Sequence, residues 1–230
     1  KFLPIIRQVC RARPKGYQYS PRYKSHAWDG YISLMNSFKQ FPTGLLGMVS
    51  DAIRNAGYSV EYEDDRKFLI GRKIISDCLN GIILRDYQVE SADILIAKTR
   101  GVAKMATNSG KTEVMAAVLW GLNFPKSLIL VHRKELMYQT AERFEKRLGI
   151  DVGIIGDGKF ERKDITVAMI QTISNKFVQK DWIDNQIVMV DECHHLSSNQ
   201  MMDFLKKISG SYRYGFSGTP LKYDDLSDMK

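Results

Sequence analysis

A short stretch near the middle of the chain has residue types that bind phosphate. Residues 105–112 read MATNSGKT, and the last three match the end of the phosphate-binding pattern G-x-x-x-x-G-K-[ST]. Met105 stands where that pattern has its first glycine. We expect Lys111 to reach the β- and γ-phosphates of a nucleotide and the Thr112 hydroxyl to ligate Mg²⁺. An ordinary turn before a helix is the alternative, because a G-K-T tripeptide also occurs by chance.

A pair of carboxylates suited to nucleotide hydrolysis follows later in the chain. Residues 188–195 read VMVDECHH, so Asp191 and Glu192 come directly after an apolar run. Ligands of open parallel sheets bind at the carboxyl ends of the strands. We expect Asp191 to share Mg²⁺ with Thr112, and Glu192 to activate the water that attacks the γ-phosphate. An acidic pair that merely begins a loop is the alternative, which the phosphate-binding stretch disfavours.

The cysteine and histidines after the acidic pair do not predict a zinc site. Adjacent residues cannot easily converge on one tetrahedral ion, and the chain has no C-x-x-C or H-x₃-H partner for them. We interpret His195 instead as a coupling residue beside the acids. The three cysteines are far apart and odd in number, which favours a reducing compartment without a disulfide framework.

The pattern of apolar runs predicts the elements that position these residues. From Gly81 onward, short β-rich runs alternate with helical stretches, as in an α/β domain with a mostly parallel sheet. The phosphate-binding stretch would then lie between a strand and a helix, as its motif requires. The predicted strands are 101–107, 127–132, 164–169, 186–191 and 212–218, and the predicted helices include 111–122 and 133–148.

The N-terminal part of the chain differs from the rest in its pattern of residue types and in its charge. We predict a small α+β domain over residues 1–78 and the α/β domain over residues 79–230. In the first of these, 31–35 and 58–62 are predicted strands, and Pro42 and Thr43 cap a predicted helix that ends at Gly57.

Positive charge is concentrated at the start of the chain. The net charge is +8, and the first forty residues carry eight basic side chains against a single acid, Asp29. A basic segment joined to a nearly neutral body indicates a polyanion partner, while a solvated basic surface is the alternative. No apolar run approaches the length needed to span a bilayer, so we expect no membrane contact. The cysteine usage leads us to expect a cytoplasmic location.

Six segments, which occur in the family's order along the chain, resemble the motifs of superfamily 2 helicases. Residues 105–112 resemble motif I, residues 190–195 the DExH motif II, and FSGTP at 216–220 motif III. The segment RDYQ at 85–88 resembles the element whose glutamine reads adenine, a role suited to an amide. LVHRKELMYQ at 130–139 and MIQTI at 169–173 resemble elements that face the nucleic-acid backbone in this family.

This resemblance implies a RecA-like P-loop domain with a site for ATP and Mg²⁺, and DNA-dependent ATP hydrolysis. Catalysis would rest on Lys111, Asp191 and Glu192, with Thr112 and Asp191 on the metal. The ATP-binding residues implied are Arg85, Gln88, Thr107, Asn108, Ser109, Gly110, Lys111 and Thr112. Those implied to couple ATP to DNA are His195, Ser217 and Thr219, and those implied to contact DNA are His132, Arg133, Lys134, Gln171 and Thr172.

The N-terminal region resembles, more loosely, the small first domain of UvsW-type branch-migration helicases of phages. The shared features are an aromatic-Pro-Arg segment, a Trp-Asp-Gly turn and a Pro-x-Gly-Leu helix start. Arg22 and Lys24 are therefore candidates for phosphate contacts, and Trp28 for stacking on bases or sugars of branched or forked DNA. A core position for Trp28 is the alternative.

The helicase resemblance also implies a second RecA-like lobe, which supplies an arginine finger. We expect this chain to be the N-terminal portion of a longer helicase, and to hydrolyse ATP poorly alone because such a finger contributes about 10³–10⁵ in rate. Two other interpretations stay open. One is the motor portion of a restriction-type translocase, and the other is a non-catalytic nucleic-acid-binding module with a vestigial nucleotide fold.

Overall fold

The computed structural model describes residues 2–14, 16–176, 185–195, 208 and 210–219 of the chain. The chain divides into two compact units, one within residues 1–65 and the other within residues 66–220. This division lies earlier in the chain than the predicted boundary between residues 78 and 79. Residues 69–79 pack with the second unit: the Arg72 N–H donates to the Gly121 carbonyl at 2.8 Å, and Ile74 and Leu79 are buried in its core.

The first unit combines short helices with one two-stranded antiparallel sheet. Helix α1 packs against α3, and Cys10 and Val49 are buried. Prolines occupy the first turns of α1 and α2, where a missing N–H costs no hydrogen bond. The elements are α1 (Leu3–Val9), β1 (Arg11–Ala12), α2 (Pro21–Lys24), β2 (Ile32–Ser33) and α3 (Leu46–Asn55), with 3-10 turns at Tyr17–Tyr19 and Thr43–Leu45.

Two predictions for this unit need correction. The predicted strand at 31–35 shrinks to β2, which pairs with β1 through Arg11 opposite Ser33 and Ala12 opposite Ile32. The predicted strand at 58–62 is wrong, because these residues adopt neither helix nor strand. Alternating side chains there satisfy the strand pattern, but a strand also needs a neighbour for its backbone hydrogen bonds, and the pattern does not report one.

The second unit is a seven-stranded sheet with helices. The strand order is β3-β9-β8-β4-β7-β5-β6, with parallel pairing throughout except for the antiparallel β5–β6 hairpin. This confirms the predicted α/β fold with a mostly parallel sheet. The strands are β3 (Arg100–Lys104), β4 (Ser127–Val131), β5 (Gly153–Gly156), β6 (Lys159–Glu161), β7 (Ile165–Met169), β8 (Ile187–Asp191) and β9 (Tyr212–Ser217), and the helices are α4 (Asp86–Lys98), α5 (Lys111–Gly121), α6 (Lys134–Leu148) and α7 (Ile170–Lys176).

Burial explains why these segments form the elements they do. All five residues of β4 are buried, as are the first four of β8, which fits strands covered on both faces. Helix α5 is apolar around most of its circumference and is buried almost throughout. Helix α6 instead buries one stripe at helical spacing and leaves its charged face exposed. Within the described residues, no helix is both long and apolar enough to cross a bilayer.

Candidate nucleotide-binding site

Three loops with candidate chemistry lie at the same edge of the sheet. Strands β3, β9 and β8 are neighbours and run parallel, so their carboxyl ends lie side by side. The 105–112 loop follows β3, Asp191 ends β8 and Ser217 ends β9. The Met105 N–H donates to the Ser217 carbonyl at 2.9 Å, which joins the first loop to the third. The fold thus brings together residues that lie far apart in sequence.

The loop geometry accounts for the altered entrance of the phosphate-binding pattern. Met105 is only 7% exposed and belongs to the hydrophobic core of the unit, so its side chain packs inward. Asn108 and Gly110 both have positive φ, 62° and 80°. Asparagine tolerates the left-handed region better than most residues, which suits Asn108 to this turn. Ser109 closes the loop by donating its hydroxyl to the Ala106 carbonyl at 2.7 Å.

The candidate adenine reader, Gln88, contacts the phosphate-binding loop directly. Its side chain is buried; Oε1 accepts from the Arg85 N–H at 2.9 Å, and Nε2 donates to the Ser109 carbonyl at 3.0 Å. A Cβ placed on Gly110 would clash with the Gln88 amide, and the φ of 80° also favours glycine at this position. Tyr87, which the sequence analysis did not single out, donates its hydroxyl to the same Ser109 carbonyl at 2.8 Å.

Arg85 completes this arrangement, because its guanidinium donates to the Tyr87 hydroxyl at 3.1 Å. Residues at the start of α4 therefore hold one backbone carbonyl of the loop from two sides. The remaining candidates of the loop are differently placed: Thr107 and Asn108 are exposed, and Thr112 is half-buried in the first turn of α5.

The centre of the site is an ion pair between Lys111 and Glu192. The Lys111 ammonium donates to Glu192 Oε1, and the two side chains are 12% and 23% exposed. Burial alone would raise the pKa of Glu192, but the hydrogen bond and charge of Lys111 outweigh it, so that pKa lies below its ordinary value. Glu192 is therefore a carboxylate at neutral pH, and Lys111 is its main partner.

The other oxygen of Glu192 contacts two more residues. Ser217 donates its hydroxyl to Glu192 Oε2 at 3.4 Å, and His194 Nδ1 lies 3.3 Å from the same oxygen. His194 Nδ1 also lies 2.7 Å from the Ser217 hydroxyl. The Thr219 N–H donates to this hydroxyl at 3.1 Å. The structure thus joins the candidate residues that follow β3, β8 and β9 in one network.

The two adjacent histidines after the acidic pair differ in what the structure describes of them. His195 lies in the short 3-10 turn Cys193–His195, and its side chain falls outside what the structure describes. It is His194 that contacts both Glu192 and Ser217. The His-His doublet was the available signal, but sequence spacing does not show which of two adjacent rings faces the acid.

Asp191 has the environment of a carboxylate suited to holding a cation. Burial raises its pKa above the ordinary value, although the charge of Lys111 opposes the shift, and the Glu192 N–H donates to Oδ1 at 3.0 Å. Among the described residues there is no group of three or more His, Cys, Asp or Glu that would cage a metal alone. Mg²⁺ needs no such cage, since it binds through one or two carboxylates, phosphates and water. Asp191 and the Thr112 hydroxyl fit that requirement.

The candidate DNA contacts of this unit follow the next two strands along the edge. His132, Arg133 and Lys134 come after β4, and Gln171 and Thr172 lie in α7 after β7. Gln171 Nε2 donates to the His132 carbonyl at 3.0 Å, so the structure brings the two groups together. Arg133 is exposed, whereas the Lys134 ammonium pairs with Asp157 at 2.7 Å.

The candidate DNA contacts of the first unit lie on and after α2. Arg22 and Lys24 are exposed on this helix. Trp28 is half-buried, and its indole N–H donates to the Tyr31 carbonyl at 2.6 Å. The Tyr31 ring in turn stacks against the guanidinium groups of Arg11 and Arg13, at 4.2 and 4.5 Å from the ring centroid. Trp28 is thus neither a fully buried core residue nor a freely exposed ring.

Comparison with known protein families gives two matches along the chain. The model of the type III restriction enzyme res subunit matches residues 81–222. The model described as the N-terminal region of the DNA helicase UvsW matches residues 3–63. The two matches cover different parts of the chain, and the second lies within the first compact unit.

Two characterised proteins illustrate the similarity. A DNA 3'-5' translocase XPB2 of Sulfurisphaera tokodaii is 30% identical over 182 residues, covering 74% of this chain and 40% of that protein. The ATP-dependent DNA helicase uvsW of Enterobacteria phage T4 is 24% identical over 239 residues, covering 93% of this chain and 47% of that protein. The chain therefore spans less than half the length of these relatives.

A solved structure shows the same fold. The crystal structure of the UvsW helicase from bacteriophage T4 superposes with a TM-score of 0.74 at 22% identity, over 94% of this chain and 85% of that one. At this identity the likeness establishes the architecture, a RecA-like lobe with a small domain before it.

Proposed function

Because the chain belongs to the family of the type III restriction enzyme res subunit, we propose that it is the ATP-binding portion of an ATP-dependent DNA helicase or translocase. One observation carries this proposal. The Lys111–Glu192 ion pair, with Ser217 on the second carboxylate oxygen, joins a phosphate-binding loop, a strand-end acid and a third loop at one sheet edge. Through these contacts, a change at the phosphate-binding loop could reach the loop after β9.

Each residue of the network has a defined task in the proposed reaction. Lys111 binds the β- and γ-phosphates, because its ammonium is already held at the N-terminus of α5, where backbone N–H groups and the helix dipole attract anions. Those phosphates would compete with Glu192 for the ammonium. Glu192, once released, is the carboxylate that accepts a proton from the attacking water. ATP binding therefore prepares its own general base.

A divalent cation completes the proposed site. Asp191 and Thr112 would hold Mg²⁺, which neutralises charge on the phosphates when bound. Asp191 itself carries a desolvation cost, the cause of its raised pKa. Binding a cation would offset the desolvation cost of this carboxylate.

We assign adenine recognition to the start of α4. Gln88 has both an acceptor and a donor on its amide, which matches the N6 and N7 positions of adenine. In this structure both amide atoms already bond within the protein, to Arg85 and Ser109. The side chain that recognises the base would therefore also contact the phosphate-binding loop.

DNA is the proposed polyanion partner, and branched or forked DNA the proposed substrate. The excess positive charge of the first forty residues and the match of residues 3–63 to the UvsW N-terminal model support a DNA-holding role for the first unit. A second RecA-like lobe that supplies an arginine finger belongs to the same proposal. We also propose a cytoplasmic location, on the cysteine usage alone.

A restriction-type translocase is the second candidate, because the matching family model is named for a restriction subunit. The first unit favours the branched-DNA helicase over it, since the UvsW model matches there. A non-catalytic module is disfavoured by the Lys111–Glu192 pair, which a vestigial nucleotide fold has no reason to keep.

The proposal is tested by ATP hydrolysis on the complete protein, with and without forked DNA. We expect hydrolysis that DNA stimulates severalfold or more, and unwinding or migration of the fork. Hydrolysis with translocation but without fork processing would favour the restriction-type motor. A protein that binds forked DNA but neither binds nor hydrolyses ATP would be the non-catalytic module.

A further inference from the structure

The turn between β5 and β6 places an acidic residue beside the candidate DNA surface. Asp157 and Gly158 form a two-residue connection with φ of 52° and 79°, and Gly156 pairs with Lys159 across it. Two positive φ values in a two-residue hairpin mark a turn that favours Asp-Gly or Asn-Gly. The turn therefore explains Gly158, and it accepts either an acid or its amide at position 157.

The Asp157 carboxylate is held by donors from α6. Its Oδ2 lies 2.7 Å from the Lys134 ammonium and accepts a hydrogen bond from the Tyr138 hydroxyl at 3.0 Å. The Lys159 ammonium lies 5.1 Å from the centroid of the Tyr138 ring. The hydrogen bonds from Lys134 and Tyr138 lower the pKa of Asp157, and its bond to Lys134 raises the pKa of that lysine. One ammonium group and a phenol thus hold the anionic oxygen, and a second ammonium group lies over the ring of that phenol.

Strand order places this cluster in line with the other candidate DNA contacts. Strands β4, β7 and β5 are parallel neighbours, so the loops after them share one edge. Lys134 follows β4, Gln171 follows β7, and the Asp157 turn follows β5. The Gln171 bond to the His132 carbonyl links the first two of these loops. The side chains around Asp157 therefore add the loop after β5 to the candidate DNA contacts that follow β4 and β7.

We propose that Lys134, Tyr138 and Lys159 form a contact site for a phosphodiester of the nucleic-acid backbone, and that Asp157 occupies this site as a competing anion when DNA is absent. The proposal rests on the proposed DNA-binding function. The Lys134 and Asp157 side chains are 52% and 34% exposed, so a phosphate can reach both. A bound phosphate takes over the donors, and the carboxylate turns to solvent while the backbone turn stays in place.

Exchange of one anion for another has a measurable consequence. Lys134 is already neutralised, so its contact with a phosphate brings little net release of counterions in the parent protein. Asp157→Asn keeps the turn, since Asn-Gly suits it equally, and removes only the competing charge. Lys134 then neutralises a phosphate outright. This adds up to about 0.9 to the slope of log affinity against log salt on duplex DNA.

The experiment measures binding of a fluorescein-labelled forked DNA to the 230-residue chain across a salt series. We expect Asp157→Asn to tighten binding about two- to fivefold at low salt, the range that exposed ion pairs give, and to steepen the slope. Asp151→Asn is the matched control, because Asp151 is 88% exposed and pairs with Lys163 at 3.6 Å. In a Lys134→Gln background, Asp157→Asn should no longer change the slope.

Each other outcome overturns the inference. If Asp157→Asn only lowers the melting temperature and leaves affinity and slope as in the parent, Asp157 is a turn residue alone. If Asp151→Asn changes binding equally, the effect is one of net charge. In both cases the parent still binds DNA, so the proposed function stands. A parent chain that binds no DNA would overturn both proposals.

Discussion

The Lys111 ammonium and the Glu192 carboxylate form an ion pair across 81 residues of sequence, between the first turn of α5 and the residue after β8. In the proposed reaction, Lys111 and Glu192 would each exchange the other for a ligand. The γ-phosphate would take Lys111 from Glu192, and a water would take Glu192 from Lys111. The two side chains are therefore already arranged for the reaction.

Replacing Lys111 with Ala should abolish ATP binding. The charge-assisted hydrogen bond to the phosphates is removed, and the remaining Glu192 carboxylate would repel them. Calorimetry with ATP and Mg²⁺ measures the effect. Lys104→Ala is the control, because Lys104 is an exposed lysine at the end of β3. If Lys111→Ala and the parent bind ATP with equal affinity, the assignment of the phosphate-binding loop is wrong.

Glu192→Gln should separate binding from chemistry. The amide keeps the shape of the side chain but is no base, so ATP should still bind while hydrolysis by the complete protein falls about 10²–10⁴-fold. Turnover is measured in the presence of forked DNA, and affinity by calorimetry. Unchanged turnover would move the role of water activation to another residue.

Asp191→Asn should stabilise the chain without nucleotide while it removes hydrolysis. Because the pKa of Asp191 is raised by burial, its ionisation costs folding stability as pH rises from the ordinary value of 3.8 through the raised value. The asparagine keeps an acceptor for the Glu192 N–H. We expect the melting temperature at pH 7 to rise on the order of 2–4 °C, the shift that about 1 kcal/mol gives in a chain of this size.

Glu192→Gln is the control for the melting-temperature measurement on Asp191→Asn. The pKa of Glu192 is lowered, so its charge contributes stability at neutral pH that is lost as pH falls through the lowered value. The two substitutions should therefore shift the melting temperature in opposite directions at pH 7. Shifts of the same sign would contradict the electrostatic account of the site.

Removing residues 1–65 should weaken DNA binding and leave the second unit folded. This cut keeps Ile74 and Leu79, which are buried in the second unit, whereas a cut at residue 79 would remove both. The slope of log affinity against log salt should flatten by about 0.9 for each duplex phosphate that the first unit neutralises. Changing Arg22 and Lys24 together to Ala should reproduce up to roughly two units of that flattening. An unchanged slope in the truncated chain would make the N-terminal charge a solvated surface.

The predictable parts of the molecule are those in which one local signal suffices. Strand β8 is continuously apolar up to the acidic pair that follows it, so both the strand and its site were evident from the sequence. The β5–β6 hairpin was missed because four- and three-residue strands have little periodicity, although Asp157-Gly158 is a recognisable turn signal.

The contacts between motifs could not be predicted from the spacing of residues along the sequence. Neither the bond from Tyr87 to the Ser109 carbonyl nor the place of His194 beside Glu192 follows from sequence order. Both depend on how α4 and the turn after β8 are oriented, which is decided by packing. The same holds for Asp157, whose partner Lys134 lies on another element.

Strand β8 lies directly beside β4, with Val190 opposite Leu130. One strand leads to Asp191 on the phosphate side, and the other leads to His132 on the side of the candidate backbone contacts. Adjacent strands are about 4.8 Å apart, so the proposed nucleotide site and the candidate DNA contacts follow neighbouring strands of one sheet. Burial raises the pKa of Asp191, and the nearby His132 is among the groups that oppose this shift. In the proposed motor, a change at the nucleotide site would therefore have to cross only one pair of strands to reach the candidate DNA contacts.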